Sequence, residues 1–249
     1  QLLIFLKQIV TFNWGHSWAT NESVATLFAT RLPATLTVML PILVLEVLLA
    51  IPFALAVAAV RGSLTDRAVM VLSTVAVSIS LLVYVIVGQY FFAFRLGWFP
   101  VQGWSGSTWT NLTTYAPLPV MVAVAVALAP YTRLYRSFFL DEIGHDYVRT
   151  ARAKGLPERR ILLRHVLRNA MIPILTNISV ALPGVFVGSF LLEVFFSIPG
   201  LGRELLLAVN RSDYPVIQAF AIYLAMLTMV INLLTDLLYK AVDPRVVLK

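Results

Sequence analysis

Five stretches of this sequence, residues 33–60, 68–94, 117–137, 172–196 and 215–239, are almost unbroken runs of apolar side chains. A helix needs about 20 apolar residues to cross the hydrocarbon layer of a bilayer, whereas a barrel strand needs about 10 in strict alternation. The runs have the helical length and do not alternate. Hydrocarbon offers the backbone no hydrogen-bond partner, so each run must close its own bonds as a helix. The expected fold class is an all-α membrane protein, a polytopic helix bundle with five spans. Composition agrees, with 59% apolar and only 12% charged residues, against about 25% charged in soluble domains.

Prolines punctuate the runs. Pro33, Pro117 and Pro215 stand near expected helix starts, where a missing N–H does no harm. Pro41, Pro52, Pro130 and Pro183 fall inside runs and are expected to bend them.

The basic residues orient the bundle. Arg61, Arg67, Arg133, Arg136, Arg149, Arg152, Lys154, Arg159, Arg160, Arg164, Arg168, Lys240, Arg245 and Lys249 fall on one side, 14 of the 19. Lys7, Arg31, Arg95, Arg203 and Arg211 fall on the other. The positive-inside rule places the first set in the cytoplasm. All five tryptophans, Trp14, Trp18, Trp98, Trp104 and Trp109, lie on the outer side, where they suit an interfacial belt. Residues 1–31 then form an outer-side segment, and 32–249 form the transmembrane domain. Within that domain, 138–171 is a cytoplasmic loop and 197–214 an outer loop. A chain starting in the cytoplasm would need one more span before residue 1, so a sixth, N-terminal helix absent from this sequence is expected.

The same topology accounts for the net charge of +7. The charge sits in loops between spans, so membrane lipid, and not nucleic acid, is the expected partner for it. There is no cysteine, hence no disulfide or thiolate site. His16, His145 and His165 are scattered and give no reason to expect a metal site.

Residues 146–170, DYVRTARAKGLPERRILLRHVLRNA, carry seven of the cations between two apolar runs. Asp146 is placed to cap a helix with 147–154 as its body, and Gly155 to end it. Pro157 fits the first turn of a second helix, 158–170, whose positive end Glu158 favours. Ile161, Leu162, Val166 and Ala170 would form its apolar face and Arg159, Arg160, Arg164 and Arg168 its wet one. Three roles stay open on these residues alone: contact with lipid headgroups, an amphipathic lipid sensor, or a docking element for a cytosolic partner. The break at Gly155, Leu156 and Pro157 favours a shaped protrusion over a flat surface helix.

The run TARAKG followed by RHVLRNA resembles the cytoplasmic loop of binding-protein-dependent ABC importer permeases, most of all their dipeptide/oligopeptide/nickel branch. In that family's E-A-A-x-x-x-G pattern, Arg149, Thr150 and Ala151 take the first three positions and Gly155 the last. Residues 196–214, FSIPGLGRELLLAVNRSDY, are similar to the family's outer loop. LGWFP at 96–100 and the ending Asp243, Pro244, Arg245 also match. Two departures stand out. Arg149 replaces the glutamate, which resembles the first of two non-identical permeases; the other would keep the acidic version. Ser80 stands where the branch often has proline, so the resemblance does not carry a local kink of the second span over to this chain.

The resemblance implies a type I importer bundle forming half of a translocation pathway for peptides or similar small solutes in the bacterial inner membrane. Its implied partners are a second homologous permease, two cytosolic ATPases that carry ATP and Mg, and an extracytoplasmic solute-binding protein. Arg149, Thr150, Ala151, Arg152, Lys154, Gly155, Leu156, Pro157, Arg159 and Arg160 would then couple the bundle to an ATPase. The chain itself has no G-x-x-x-x-G-K-[ST] sequence. It is therefore expected to be no enzyme and to bind no cofactor of its own.

Polar residues inside the runs complete the inventory. A carboxyl in the bilayer must be neutral, paired or facing water, so Glu46 either lines the pathway or pairs with a neighbouring helix. Ser78, Ser80, Tyr84, Gln89, Asn177 and Ser189 would line a weakly selective passage or bond between helices. Glu193, near Pro199, Gly200 and Gly202, is expected to tie the outer loop. Asp236 is expected to meet Arg133 or Arg136, and Gly184 with Gly188 to permit close packing. An ATPase-independent secondary transporter or channel, with Glu46 coupling ions, is the competing class.

Overall fold

A computed structural model describes residues 14–242, with side chains as far as Thr235. The first part of the outer-side segment, the ending 243–245 and the side chain of Asp236 lie outside the described residues. Apart from an isolated antiparallel bridge between His16 and Ser23, the regular structure described is helical. The helices are α1 (Val24–Ala59), α2 (Leu64–Ser78), α3 (Leu81–Gly88), α4 (Pro117–Ile143), α5 (Asp146–Ala153), α6 (Leu167–Val187), α7 (Phe190–Phe195), α8 (Leu201–Asn210) and α9 (Tyr214–Val242). Among the described residues, four stretches are long and apolar enough to cross a membrane, and α2 with α3 and its continuation Gln89–Arg95 makes a fifth if counted as one broken span.

Several boundaries differ from the expected ones. α1 begins at Val24, so Pro33 lies two turns inside it, and neither Pro41 nor Pro52 ends it. Pro130 likewise sits within α4. The second span breaks where there is no proline: its two parts meet at 90° around Ile79 and Ser80. Ser80 supplies the cause. Its backbone is extended, and its hydroxyl accepts from the Leu82 N–H at 3.3 Å, capping α3. The last carbonyls of α2 find other donors, since Ala76 accepts from the Ile79 N–H at 3.2 Å and from the Tyr84 hydroxyl at 3.1 Å. A capping serine and a tyrosine thus do what a proline kink would have done.

The chain divides into two compact units. One comprises residues 41–90 and 120–178. Its core joins Ala50, Ala54 and Ala58 of α1 to Tyr135 and Phe139 of α4, with Val148 of α5 and Ile161, Val166, Ala170 and Ile174 beyond. Three alanines on one face of α1 let its backbone approach closely. This unit also holds a buried ion pair. Arg136 of α4 donates through two nitrogens to both Asp66 oxygens, each at 2.7 Å, and Gly62 N–H adds a bond at 2.8 Å. Arg136 therefore meets Asp66. Removing one partner of such a pair strands a buried charge, so Asp66→Ala is expected to destabilise by about 3 kcal/mol. The apparent Tm of the purified protein checks this, with Asp66→Asn falling between the two.

The other unit comprises, of the described residues, 14–40, 91–119 and 179–242. Phe28 of α1 is its hub, with the rings of Phe220, Tyr223 and Trp14 at 4.5, 5.2 and 5.3 Å. The turn before α1 is tied to the start of α9 through Asp213, which accepts from the Ser17 hydroxyl and from the Trp18 N–H at 3.0 Å. Burial opposes ionisation of Asp213. The bonds from Ser17, Trp18, Ala19 and Val216 outweigh it and hold the carboxyl below its ordinary range. A depressed folded pKa means this tie is fully present above the ordinary carboxyl range and is lost as pH falls through the folded value. Trp18 fluorescence should report that loss in acid, and Asp213→Asn should remove the transition.

Candidate functional site

The cationic segment folds as two helical arms joined by a tight turn. α5 begins at Asp146 with His145, not Asp146, in the capping position. Its far end is closed by a Schellman motif: the Leu156 N–H donates to the Ala151 carbonyl at 3.3 Å and the Gly155 N–H to that of Arg152 at 2.9 Å. Gly155 sits at φ +73°, in the left-handed region that favours glycine, with open space around its Cα. Pro157 precedes the second arm, taking the capping position with extended backbone. The arm starts at Glu158 and passes through wider turns at Ile161–Val166 into α6. The second arm and the span that follows it therefore form one helical path from Glu158 onward.

Burial along the second arm follows its pattern of apolar and charged residues. Ile161, Leu162, Val166 and Ala170 are buried, whereas Arg159, Arg160, Arg164 and Arg168 are exposed. On the first arm Val148 and Ala151 are buried, and Arg149, Thr150, Arg152 and Lys154 are exposed. Between the arms lies a recess of about 320 Å³ lined by Tyr147, Thr150, Ala151, Lys154, Leu156 and His165. Tyr147 donates to Glu142 at 2.6 Å, and burial together with that bond pushes its hydroxyl up to about 12.

Sequence reasoning missed one contact here. Arg152 and Glu158 form a two-pronged pair across the turn, at 2.5 and 3.1 Å. They are six residues apart, a spacing that means nothing until the Gly155 turn folds the arms together. Arg149 makes a looser pair with Asp146 at 3.3 Å, both strongly exposed.

The other residues expected to be functional separate into two groups. Ser78 bonds back to the Thr74 carbonyl, Ser80 and Ser189 cap helices, and Tyr84 serves the α2–α3 break. Gln89 begins the wider turns that follow α3. Glu46 and Asn177 instead lie beside tyrosines of α4, in a partly buried polar region. Tyr131 lies near Glu46, and the Tyr135 hydroxyl donates to Asn177 at 3.3 Å. Among the described residues, no group of three His, Cys, Asp or Glu converges on a metal-sized site.

Glu193 occupies a cage at the start of α8. Its carboxylate accepts from the Arg203 N–H at 2.7 Å, the Gly202 N–H and the Thr35 hydroxyl at 2.9 Å. The Thr35 hydroxyl oxygen in turn accepts from the Leu201 N–H at 2.7 Å. The first amides of α8 are thereby satisfied by a buried carboxyl group and a hydroxyl. Gly188, Gly200 and Gly202 wall the carboxylate in, and Pro199 leads the chain into the cap.

Several membrane-length helices, one of them broken, together with a cationic helix–turn–helix between two of the spans, define a class of protein: a polytopic membrane permease. Residues 50–248 match the family of binding-protein-dependent transport system inner membrane components, and the chain belongs to that family. It is 35% identical to the dipeptide transport system permease protein of Lactococcus lactis over 99% of this chain and 80% of that protein. It is also 35% identical to the oligopeptide transport system permease protein of Bacillus subtilis, over 99% and 79%. The glutathione transport system permease protein of Salmonella choleraesuis is 32% identical, over 97% and 77%. The chain is a permease subunit of an ABC importer and a multi-pass protein of the bacterial inner membrane.

Proposed function

We propose that this subunit forms half of a peptide translocation pathway, opened and closed by ATPases that grip the 146–166 segment. The observation that carries the reading is the Gly155 turn: a rigid, glycine-dependent corner whose exposed side is cationic and whose second arm runs directly into a membrane span. A push on that corner has a continuous helix to travel along. The peptide class rests on the names of relatives related over nearly the whole chain. A second homologous permease, two cytosolic ATPases holding ATP and Mg, and an external solute-binding protein complete the proposed complex. The exposed Arg149, Arg152, Lys154, Arg159 and Arg160 face the ATPase cleft, while Thr150, Ala151, Gly155, Leu156 and Pro157 set the shape of the corner. Arg149 places a cation where an acidic residue would stand in the partner permease, so the two ATPases meet unlike surfaces.

Reversing two adjacent exposed charges tests the docking. Arg159→Glu with Arg160→Glu is expected to lower copurification of the ATPase by about tenfold, the effect of weakening an interface by ~1.4 kcal/mol. Undiminished copurification would remove these arginines from the contact. The substrate class is tested separately, by uptake of labelled di- and oligopeptides into proteoliposomes holding the whole complex; failure of every peptide would overturn it.

A further inference from the structure

We propose that the recess between the first turns of α1 and the loop at 103–111 is a contact site for the main chain of a peptide. The proposal rests on the peptide reading above and names residues that meet the solute on the side the basic residues place outside.

The recess has a volume of about 300 Å³ and is walled by Thr30, Pro33 and Thr37 of α1 and by Trp104, Gly106 and Thr108 of the loop. The loop is braced from within. Asn111 is 3% exposed, and its side-chain amide pairs in both directions with the backbone of Ser105. The Ser105 N–H donates to Asn111 Oδ1, and Asn111 Nδ2 donates to the Ser105 carbonyl, each at 2.7 Å. The Ser107 N–H donates to the Ser105 hydroxyl at 3.2 Å, and the Gly103 N–H ties the loop to the Phe196 carbonyl at 3.1 Å. Such bracing shapes the recess before anything enters it.

The groups that the bracing leaves over define the ligand. The Thr30 and Thr37 hydroxyls donate to the carbonyls of Leu27 and Pro33 at 3.0 and 2.7 Å, so their oxygens keep lone pairs that can accept. Among the described residues, the Thr108 hydroxyl, the Trp104 indole N–H and the Gly106 peptide group have no hydrogen-bond partner. Donors and acceptors are both present, and no charged side chain lines the recess. An ionic group held there would lack a counter-charge. A peptide bond instead offers one neutral donor and one neutral acceptor, the same in every peptide. Trp104 and Pro33 add apolar surface for an adjoining side chain. The volume is at the small end of ligand pockets, which suits a segment of a peptide. Residues expected to line a passage do not compete for this role. Ser78, Ser80, Tyr84 and Ser189 direct their hydroxyls at the chain's own backbone.

The test uses the whole complex in detergent, without nucleotide or binding protein, and a tripeptide with benzoylphenylalanine at its centre. On irradiation this probe is expected to label residues 30–37 or 103–111, read by mass spectrometry of the digested subunit. Unlabelled trialanine should displace it. Trialanine methylated on its amide nitrogens lacks the donors and should displace it at least about tenfold more weakly. Trp104→Phe and Thr108→Val each delete one hydrogen-bonding group and keep the side chain's bulk. Each is expected to lower labelling roughly threefold to tenfold. Labelling elsewhere on the chain, or equal displacement by the methylated peptide, overturns the proposal. So does a loss of binding-protein association in the two variants with labelling intact, which would make the recess a protein-docking surface. If the wild-type complex carries peptides into proteoliposomes yet takes no label here, the peptide reading stands and the recess falls; if it carries none, both fall.

Discussion

Alanine at Gly188 is expected to destabilise the protein by about 2–5 kcal/mol, combining left-handed strain with overpacking. Gly188 stands between α6 and α7 at φ +84°. A Cβ there would press on the Glu193 carboxylate and come within 2.8 Å of Thr35 Cγ2. The carboxylate cannot retreat, because Gly200 faces it from another side and a Cβ there would lie 2.5–2.6 Å from its atoms. Moving it would also break the bonds to Arg203 and Thr35, releasing the buried start of α8. The apparent Tm of the purified protein measures the effect. Gly184→Ala is the control: it lies four residues earlier, in regular α6, with nothing within 4 Å, and should behave like wild type. Equal shifts at the two glycines would refute the cage.

That pair also marks where the sequence was informative. Gly184 and Gly188 have the spacing of a helix-packing motif, yet within this chain a Cβ added at Gly184 would find open space, and Gly188 is a helix break beside a carboxyl group. Spacing does not report φ. The spans were readable because hydrocarbon allows few alternatives, and the arginine face of the second arm because its apolar residues repeat with a helical period. The break at Ser80 was not, because it depends on a capping hydroxyl and on a tyrosine eight residues beyond the carbonyl it serves. The Arg152–Glu158 and Arg136–Asp66 pairs were hidden for a similar reason: each needs a turn or a neighbouring helix to bring it together. Glu193 was placed near the outer turn from its neighbours alone. Its three glycine walls became a cage only in three dimensions.

Gly155→Pro should uncouple ATP hydrolysis from transport without unfolding the bundle. The native turn needs φ +73° and a Gly155 N–H donating to Arg152. Proline fixes φ near −65° and has no N–H, so both requirements fail at once. An incompatibility of about 3 kcal/mol would reduce the native corner to roughly one part in a hundred of its population. The spans lie outside the change, and Ile161, Val166 and Ala170 keep their buried contacts. Membrane insertion should therefore persist while the corner presented to the ATPase is lost. Gly155→Ala supplies the graded case. Open space surrounds the site and the N–H is retained, leaving only the left-handed strain of about 1–2 kcal/mol. Solute transported per ATP hydrolysed is expected to fall at least tenfold for proline and less for alanine. If both variants keep the wild-type ratio, the corner is not the coupling element. If both lose transport together with the bundle's proteolytic resistance, the turn serves folding instead. Coupling through a shaped corner predicts a ratio that falls in the order glycine, alanine, proline while the bundle stays intact.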